Sequence, residues 1–385
     1  MTVNEIEAKS LLRKSKKIDS WFISRYGMNL YRGCFHNCVY CDGRAEGYYV
    51  EGEFGEDVAV KVNAVEVLRR ELDPRRKRIP LKRCYMFLGG GVGDSYQPLE
   101  QKYQLSRQVL QLILEHNFPV HVLTKSTLVI RDLDLLKRIN EHSRALVSFS
   151  FSSTDDTISA IFEPHVPAPS ARLKTITRLK QEGISCGMFL LPVIPFITDS
   201  PRLLEESVRQ AREAGVDFIV FGGMTLKDGR QKAYFHEKLS KNYPDLLTEY
   251  QEIYGHDKWG AASGKYYAGI NRMFNSIATE YKMPQRIPLA YYRDILDEND
   301  LVVVILEHID YFLKMRGEKS PYGYAAYSIS QVKEPLSMMK GKLLDLKGVG
   351  RVTERIVLDI LETGTSSYYH SLAGSGPDRM PTNLS

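Results

Sequence analysis

Three cysteines fall within eight residues, in the run Tyr31-Arg32-Gly33-Cys34-Phe35-His36-Asn37-Cys38-Val39-Tyr40-Cys41, a C-x3-C-x2-C spacing. The whole chain of 385 residues holds five cysteines, an odd number, so the group reads as a metal or cluster site rather than as a disulfide framework. Cys34, Cys38 and Cys41 can each hold one iron of a [4Fe–4S] cluster and leave the fourth iron without a nearby protein ligand. The amine and carboxylate of a methionine moiety can fill that open iron. An electron passed from the cluster can then cleave the sulfonium of a bound S-adenosylmethionine (SAM). The alternative is a three-Cys zinc site completed by His36 or another residue. The nine histidines form no H-E-x-x-H or other metal pattern, so no catalytic part is assigned to them.

A reactive loop of this kind needs a scaffold, and the sequence supplies a repeating one. Short β-rich runs at 26–33, 84–90, 120–125, 145–152, 185–194 and 217–223 alternate with amphipathic helical stretches at 100–116, 130–142, 170–183 and 200–215. Ser170 and Ser200 read as N-caps, Pro201 as a first-turn residue, and Gly183 and Gly215 as C-caps. Six β/α units in series predict an α/β fold, a partial (β/α)6 TIM-like barrel with its chemistry at the C-terminal strand ends. The cysteine loop follows the first strand, as the cluster reading requires. In the fourth strand Ser148, Ser150 and Ser152 alternate with Val147, Phe149 and Phe151, which points the serines into a ligand-holding lumen.

Bulk properties bound the rest. Hydrophobic residues make up 43% of the chain, enough for a large core, and the length suggests one large domain with a smaller one. No run of 18 or more apolar residues occurs and the N-terminus lacks a signal-peptide core, so a cytoplasmic protein with no membrane contact is expected. The net charge of +5 is mild, but cations crowd two places: Lys9, Arg13, Lys14, Lys16 and Lys17, and Arg69, Arg70, Arg75, Arg76, Lys77, Arg78, Lys82 and Arg83. Such clusters either attract phosphate backbones or form a solvated face. The expected organisation is a basic N-terminal extension (1–24), the barrel (25–225), a Tyr- and Lys-rich helical extension without assigned chemistry (226–296), an all-helical unit (297–365) and a disordered tail (366–385).

The cysteine spacing resembles the signature of the radical SAM superfamily. The phrases GDSYQPLE (93–100), LTKSTLVIRDLDLL (123–136), FEPHVPAPSARL (162–173) and LPVIPFITD (191–199) resemble its spore photoproduct lyase-like, DNA repair photolyase-type branch over roughly residues 25–255. The resemblance implies a [4Fe–4S] cluster, SAM and a DNA substrate, with an electron donor such as flavodoxin or ferredoxin. It places Tyr40 near the adenine and the glycine-rich end of strand two, Gly89, Gly90 and Gly91, at the methionine amine. Asp94, Lys125, Ser148 and Ser150 complete the expected cofactor site, Lys125 pairing with the SAM carboxylate. One departure stands out. Spore photoproduct lyases carry a hydrogen-donating cysteine at the end of strand two, where this chain has glycines. Cys84 and Cys186 fall at the opposite strand ends, so repair of spore photoproduct itself is not supported.

Near the C-terminus, Lys347-Gly348-Val349-Gly350-Arg351 lies between two helical runs and matches a helix-hairpin-helix, whose exposed backbone N–H groups hold phosphate without reading bases. Gly348, Val349, Gly350, Arg351 and Arg355 are the expected nucleic-acid contacts. Residues 299–364 resemble the small N-terminal domain of family X DNA polymerases, a binder of gapped or single-stranded DNA ends. The position of that family's Schiff-base lysine is Ile356 here, so lyase chemistry by that route is not expected. The combined expectation is a radical SAM enzyme that repairs or modifies nucleic acid, DNA above all. The runner-up acts on a protein or small molecule and uses the hairpin for docking. A nucleic-acid binder with a merely structural cluster is disfavoured, because structural clusters normally use four protein ligands.

Overall fold

The computed structural model describes residues 2–48, 52–76, 79–89, 92–255 and 257–373. Among the described residues ten strands run in chain order: β1 (Thr2–Ile6), β2 (Leu12–Asp19), β3 (Ser24–Met28), β4 (Tyr31–Arg32), β5 (Asp57–Lys61), β6 (Met86–Leu88), β7 (Val120–Thr124), β8 (Ala145–Phe151), β9 (Ser185–Val193) and β10 (Phe218–Gly223). Seven of them form one sheet in the order β10-β9-β8-β7-β6-β3-β2. Every neighbouring pair from β3 to β10 is parallel, and only the edge strand β2 runs antiparallel to β3. This curled parallel sheet is the expected partial (β/α)6 barrel.

Helices cover its outside, the longer ones turning an apolar stripe to it. They are α1 (Ala64–Leu72), α2 (Glu100–Tyr103), α3 (Leu105–Glu115), α4 (Leu133–His142), α5 (Asp156–Phe162), α6 (Pro169–Gln181) and α7 (Pro201–Glu213). Start signals behave as expected at α7, where the Ser200 side chain accepts from Leu203 N–H and Pro201 opens the helix. At α6 the expectation fails by two residues: Ala168 occupies the N-cap, and Ser170 instead hydrogen-bonds Asp156 through its backbone N–H and its hydroxyl. The run expected as one helix over 100–116 breaks at Gln104, which is left-handed with φ 50°.

Three expectations about organisation need correction. Residues 1–24 are not an appendage: β1 pairs with β5 in a small second sheet, and β2 forms the edge of the barrel sheet. The first predicted strand is two, because the chain leaves the barrel sheet after Met28 and joins β5 through Tyr31 and Arg32. The disorder expected from 366 does not hold over 367–373, where α14 (Ser367–Ala373) follows α13 (Arg351–Thr363) and buries Tyr369 and Leu372. Residues 374–385 lie outside those described.

The second half is helical: α8 (Arg230–Asn242), α9 (Leu247–Ile253), α10 (Gly264–Glu280), α11 (Glu298–Met315) and α12 (Tyr322–Ser330). The C-terminal unit does not stand apart. Thirteen of the 18 residues of α11 are buried, too many for a helix with a free face. It lies on β2 and β3, where Arg25 pairs with Asp300 through both guanidinium and carboxylate edges, and His308 Nε2 meets Ser20 O at 3.1 Å. Barrel strands and C-terminal helices share one hydrophobic core.

Candidate functional site

The cysteine loop leaves β4 through Gly33, which has φ 82° and whose added Cβ would stand 2.6 Å from Asp57 O. Only glycine makes that turn without strain. Gln97, fully buried, then ties the loop to the segment that follows β6: its side chain accepts from Phe35 N–H at 3.0 Å and donates to Gly33 O at 3.2 Å. From the far side the loop is held by the segment to which the sequence assigns no role. Gln231 donates to Tyr40 O at 3.0 Å and to Asp42 Oδ1 at 3.1 Å, while Lys227 pairs with Asp42 at 2.9 Å. Arg44 donates to Cys38 O at 3.3 Å and Phe54 O at 3.2 Å, with its guanidinium 3.6 Å from the centre of the Tyr234 ring.

These restraints turn Cys34, Cys38 and Cys41 onto one cavity of about 310 Å³ at the C-terminal ends of the parallel strands. Cys34 and Cys38 are buried and Cys41 is half-buried. Burial pushes all three thiols above their ordinary range, and around Cys34 the carboxylate of Asp94 adds to the rise. Lys125 opposes it at Cys38 and Cys41. Thiols in such a place are poor free nucleophiles; a bound cationic centre would supply the missing compensation.

Around the cysteines the cavity is polar. Asp94 accepts from Thr124 Oγ1 at 2.7 Å, Lys125 N–H at 2.7 Å and Tyr96 N–H at 2.8 Å. Burial alone would raise its pKa; His36 beside it and the two backbone donors outweigh that and hold it below the usual carboxylate range. Lys125 Nζ donates to Ser150 Oγ at 2.7 Å and lies 3.3 Å from Glu163 Oε1. Glu163 is fully buried and also receives the Tyr40 hydroxyl, Ser159 Oγ at 2.9 Å and the guanidinium of Arg172 at 2.6 Å. Burial works against ionising Glu163, but Arg172 and Lys125 prevail and keep it well below its ordinary value. Trp21, Phe22, Phe87, Phe189 and Leu191 make the rest of the wall apolar.

The predicted residues divide accordingly. Cys34, Cys38, Cys41, Tyr40, Asp94, Lys125 and Ser150 meet at the cavity. Ser148 does not: it lies two residues deeper on β8, fully buried, with Oγ 2.8 Å from His121 Nε2. Gly89 also lies off this cavity, and an added Cβ there would come within 2.9 Å of Leu123 O, so strand packing already accounts for a glycine. Gly90 and Gly91 lie outside the described residues. Cys84 and Cys186 are buried elsewhere. Glu163, Arg172 and Gln97 were missed, although each sits in a phrase that carried the family resemblance. His36 lines the same cavity, with its Nδ1 on His165 O at 3.1 Å and its Nε2 3.2 Å from Asp94. Among the described residues no three His, Cys, Asp or Glu side chains converge on a single metal point; a cubane instead takes each thiolate at a different iron.

The hairpin expected to hold phosphate lies at the other end of the chain. After a 3-10 helix over Leu336–Asp345, Gly348 turns with φ 80° and abuts the Tyr324 ring so closely that a Cβ would collide with it. Val349 is buried as the plug of the hairpin, and Gly350 caps α13 with no side-chain bond to its first N–H groups and open space around it. Arg351 and Arg355, on the first turns of α13, are exposed, and so are Lys340, Lys342 and Lys347 in the segment before it, whereas Ile356 points into the core.

Residues 28–203 match the family model described as "Radical SAM superfamily". An uncharacterized protein of Mycobacterium tuberculosis is 32% identical over 258 residues, 66% of this chain and 74% of that one. An uncharacterized protein of Methanocaldococcus jannaschii is 30% identical over 223 residues, 58% of this chain and 78% of that one. The chain belongs to the radical SAM superfamily. Among solved structures, spore photoproduct lyase complexed with dinucleoside spore photoproduct aligns with TM-score 0.54 at 15% identity, over 72% of this chain and 79% of that one. A variant of that lyase with bound AdoMet and dinucleoside spore photoproduct aligns with TM-score 0.52 at 16% identity, over 70% and 78%. Identities so low speak for a shared fold.

As a radical SAM enzyme the chain uses a [4Fe–4S] cluster and SAM. The residues present fit both: Cys34, Cys38 and Cys41 would hold the cluster, and the charged groups of Asp94 and Lys125 border space for an amino acid moiety. When bound, this pair supplies a 5′-deoxyadenosyl radical by reductive cleavage of SAM. The chain's own part is to orient and to shield. The Tyr40–Glu163–Arg172 network fixes the loop and Lys125, and the aromatic wall excludes water. Among the described residues, no helix is long and apolar enough to cross a membrane.

Proposed function

We propose that this radical SAM enzyme acts on nucleic acid, DNA above all, to repair or modify a base. In this reading Cys34, Cys38 and Cys41 ligate the cluster, and Tyr40, Asp94, Lys125 and Ser150 surround SAM. Gly348, Val349, Gly350, Arg351 and Arg355 hold the phosphate backbone, and an electron donor of the flavodoxin or ferredoxin kind reduces the cluster. The observation that carries the reading is the uncapped start of α13 with exposed cations around it, on the same chain as the radical cavity. Such an end attracts phosphate regardless of sequence.

A second reading has its own support. Tyr324, Tyr327, Met338, Leu344 and Val352, all near the hairpin in sequence, are large exposed apolar side chains, which suits docking to a protein. Binding of duplex and gapped DNA across a salt series decides between them. A nucleic-acid enzyme binds with an affinity that falls steeply with salt; no binding at low salt would transfer the hairpin to protein docking.

A further inference from the structure

Beside the radical cavity, on the other side of Trp21, lies a separate cleft of about 600 Å³ between the end of β2 and the α11–α12 pair. Arg286 lines it. Its guanidinium stands 3.7 Å from the Tyr311 ring centre and 4.3 Å from that of Trp21, and only 5% of the residue is exposed. Among the described residues its Nε and Nη1 have no hydrogen-bond partner, and neither has the buried hydroxyl of Tyr311. The acids of the cleft do not neutralise it by contact. Glu307 pairs with Lys17 and Asp310 with Lys314, and Asp19 accepts the Trp21 N–H at 2.8 Å. Asp19 and Glu307 reach the guanidinium only through space, without a hydrogen bond. A buried cation left in this way costs stability unless a ligand completes it.

We infer that Arg286 is a phosphate clamp, and that the cleft takes the phosphodiester flanking the base that enters the radical cavity. Three observations identify the ligand. The planar guanidinium suits the paired oxygens of a phosphate and is already fixed by stacking, so little freedom is lost on binding. The edge strand that ends at the cleft carries three exposed cations, Arg13, Lys14 and Lys16. Half-buried Trp21 offers the adjoining cavity an aromatic edge or face for a stacked base, beside the mutually stacked rings of Phe22, Phe87 and Phe189. Trp21 borders both spaces, so base and phosphate lie on either side of one indole. This inference rests on the nucleic-acid reading above and adds a contact that the hairpin does not provide.

The test uses full-length, cluster-loaded protein and calorimetric titration with three probes: a dinucleoside monophosphate, the corresponding free nucleoside, and inorganic phosphate. Arg286→Gln and Arg286→Lys are compared with wild type, and melting temperature is followed in parallel. The expected result is a loss of about tenfold or more in dinucleotide affinity for Arg286→Gln. Nucleoside binding should not change, Arg286→Lys should recover part of the loss, and melting temperature should not fall. Dinucleotide affinity that is the same in all three proteins overturns the clamp, while salt-dependent duplex binding through the hairpin would still uphold the nucleic-acid reading. A lower melting temperature without any phosphate-dependent difference makes Arg286 structural and also overturns it. Phosphate binding that vanishes in Arg286→Gln, with no dinucleotide binding to wild type, keeps the anion site and removes the nucleic acid.

Discussion

Lys125 is the side chain whose replacement separates cofactor binding from architecture. It is held by Ser150 and Glu163, yet Glu163 keeps Arg172 when Lys125 is replaced. Lys125→Met should therefore leave iron content and melting temperature close to wild type and weaken SAM binding by about tenfold or more, the usual weight of a charged hydrogen bond. Equilibrium SAM titration with an iron assay on the same sample checks it. Glu163→Gln should behave differently. It strands a fully buried Arg172, so a destabilisation of roughly 3–5 kcal/mol is expected in chemical denaturation. The pH sign follows from the lowered Glu163 pKa: its contribution is complete above the unfolded carboxylate pKa and is lost only as pH falls through the folded value, so mild acid should leave this network intact. Sequence reasoning found Lys125 and Ser150 from strand position but not Glu163 or Arg172. Charged residues read as exposed until a tertiary partner is known. It also treated Ser148 and Ser150 alike, because alternation reports which face a side chain takes and not how deep along the strand it lies.

Among the elements, α8 is the one whose role changes most on seeing the fold. Its Gln231 is fully buried and spends its amide on Tyr40 O, Asp42 Oδ1 and Thr225 O, while its carbonyl accepts from Lys227 N–H. Gln231→Ala should cost about 1–3 kcal/mol through these orphaned groups. Because two of them, Tyr40 O and Asp42 Oδ1, belong to the cysteine loop, the same variant should lose iron faster to a chelator than wild type; equal release rates would leave α8 as packing only. The parallel strands were legible because each is an apolar or alternating run closed by turn residues. The edge strand β2 was not: LRKSKKID is a charged run in sequence, and its strand character comes from pairing with β3 and cover from α11. The region over α8 was unreadable for a similar reason, since its hydrogen bonds to the loop span about 190 residues of chain.

At the scale of the whole molecule, the shared core decides how the C-terminal unit can be tested. Deleting residues 299–385 would strip α11 from β2 and break the Arg25–Asp300 pair, exposing barrel core residues such as Ile18. Such a protein should be poorly folded, so its failure to bind DNA would carry no information about the hairpin. Gly348 substitutions suffer in the same way, through positive φ and the Tyr324 ring. Reversing the exposed charges avoids both problems. Arg351→Glu with Arg355→Glu alters only exposed side chains, and melting temperature and SAM cleavage should stay at wild-type levels because the barrel holds that chemistry. If the hairpin grips phosphates, DNA affinity should fall for every sequence tested. The slope of log affinity against log salt should shrink by about one for each phosphate that the variant no longer neutralises, hence by about two. A double variant with the wild-type salt slope would show that the phosphates are held elsewhere, and the exposed cations of β2 would be the next surface to reverse.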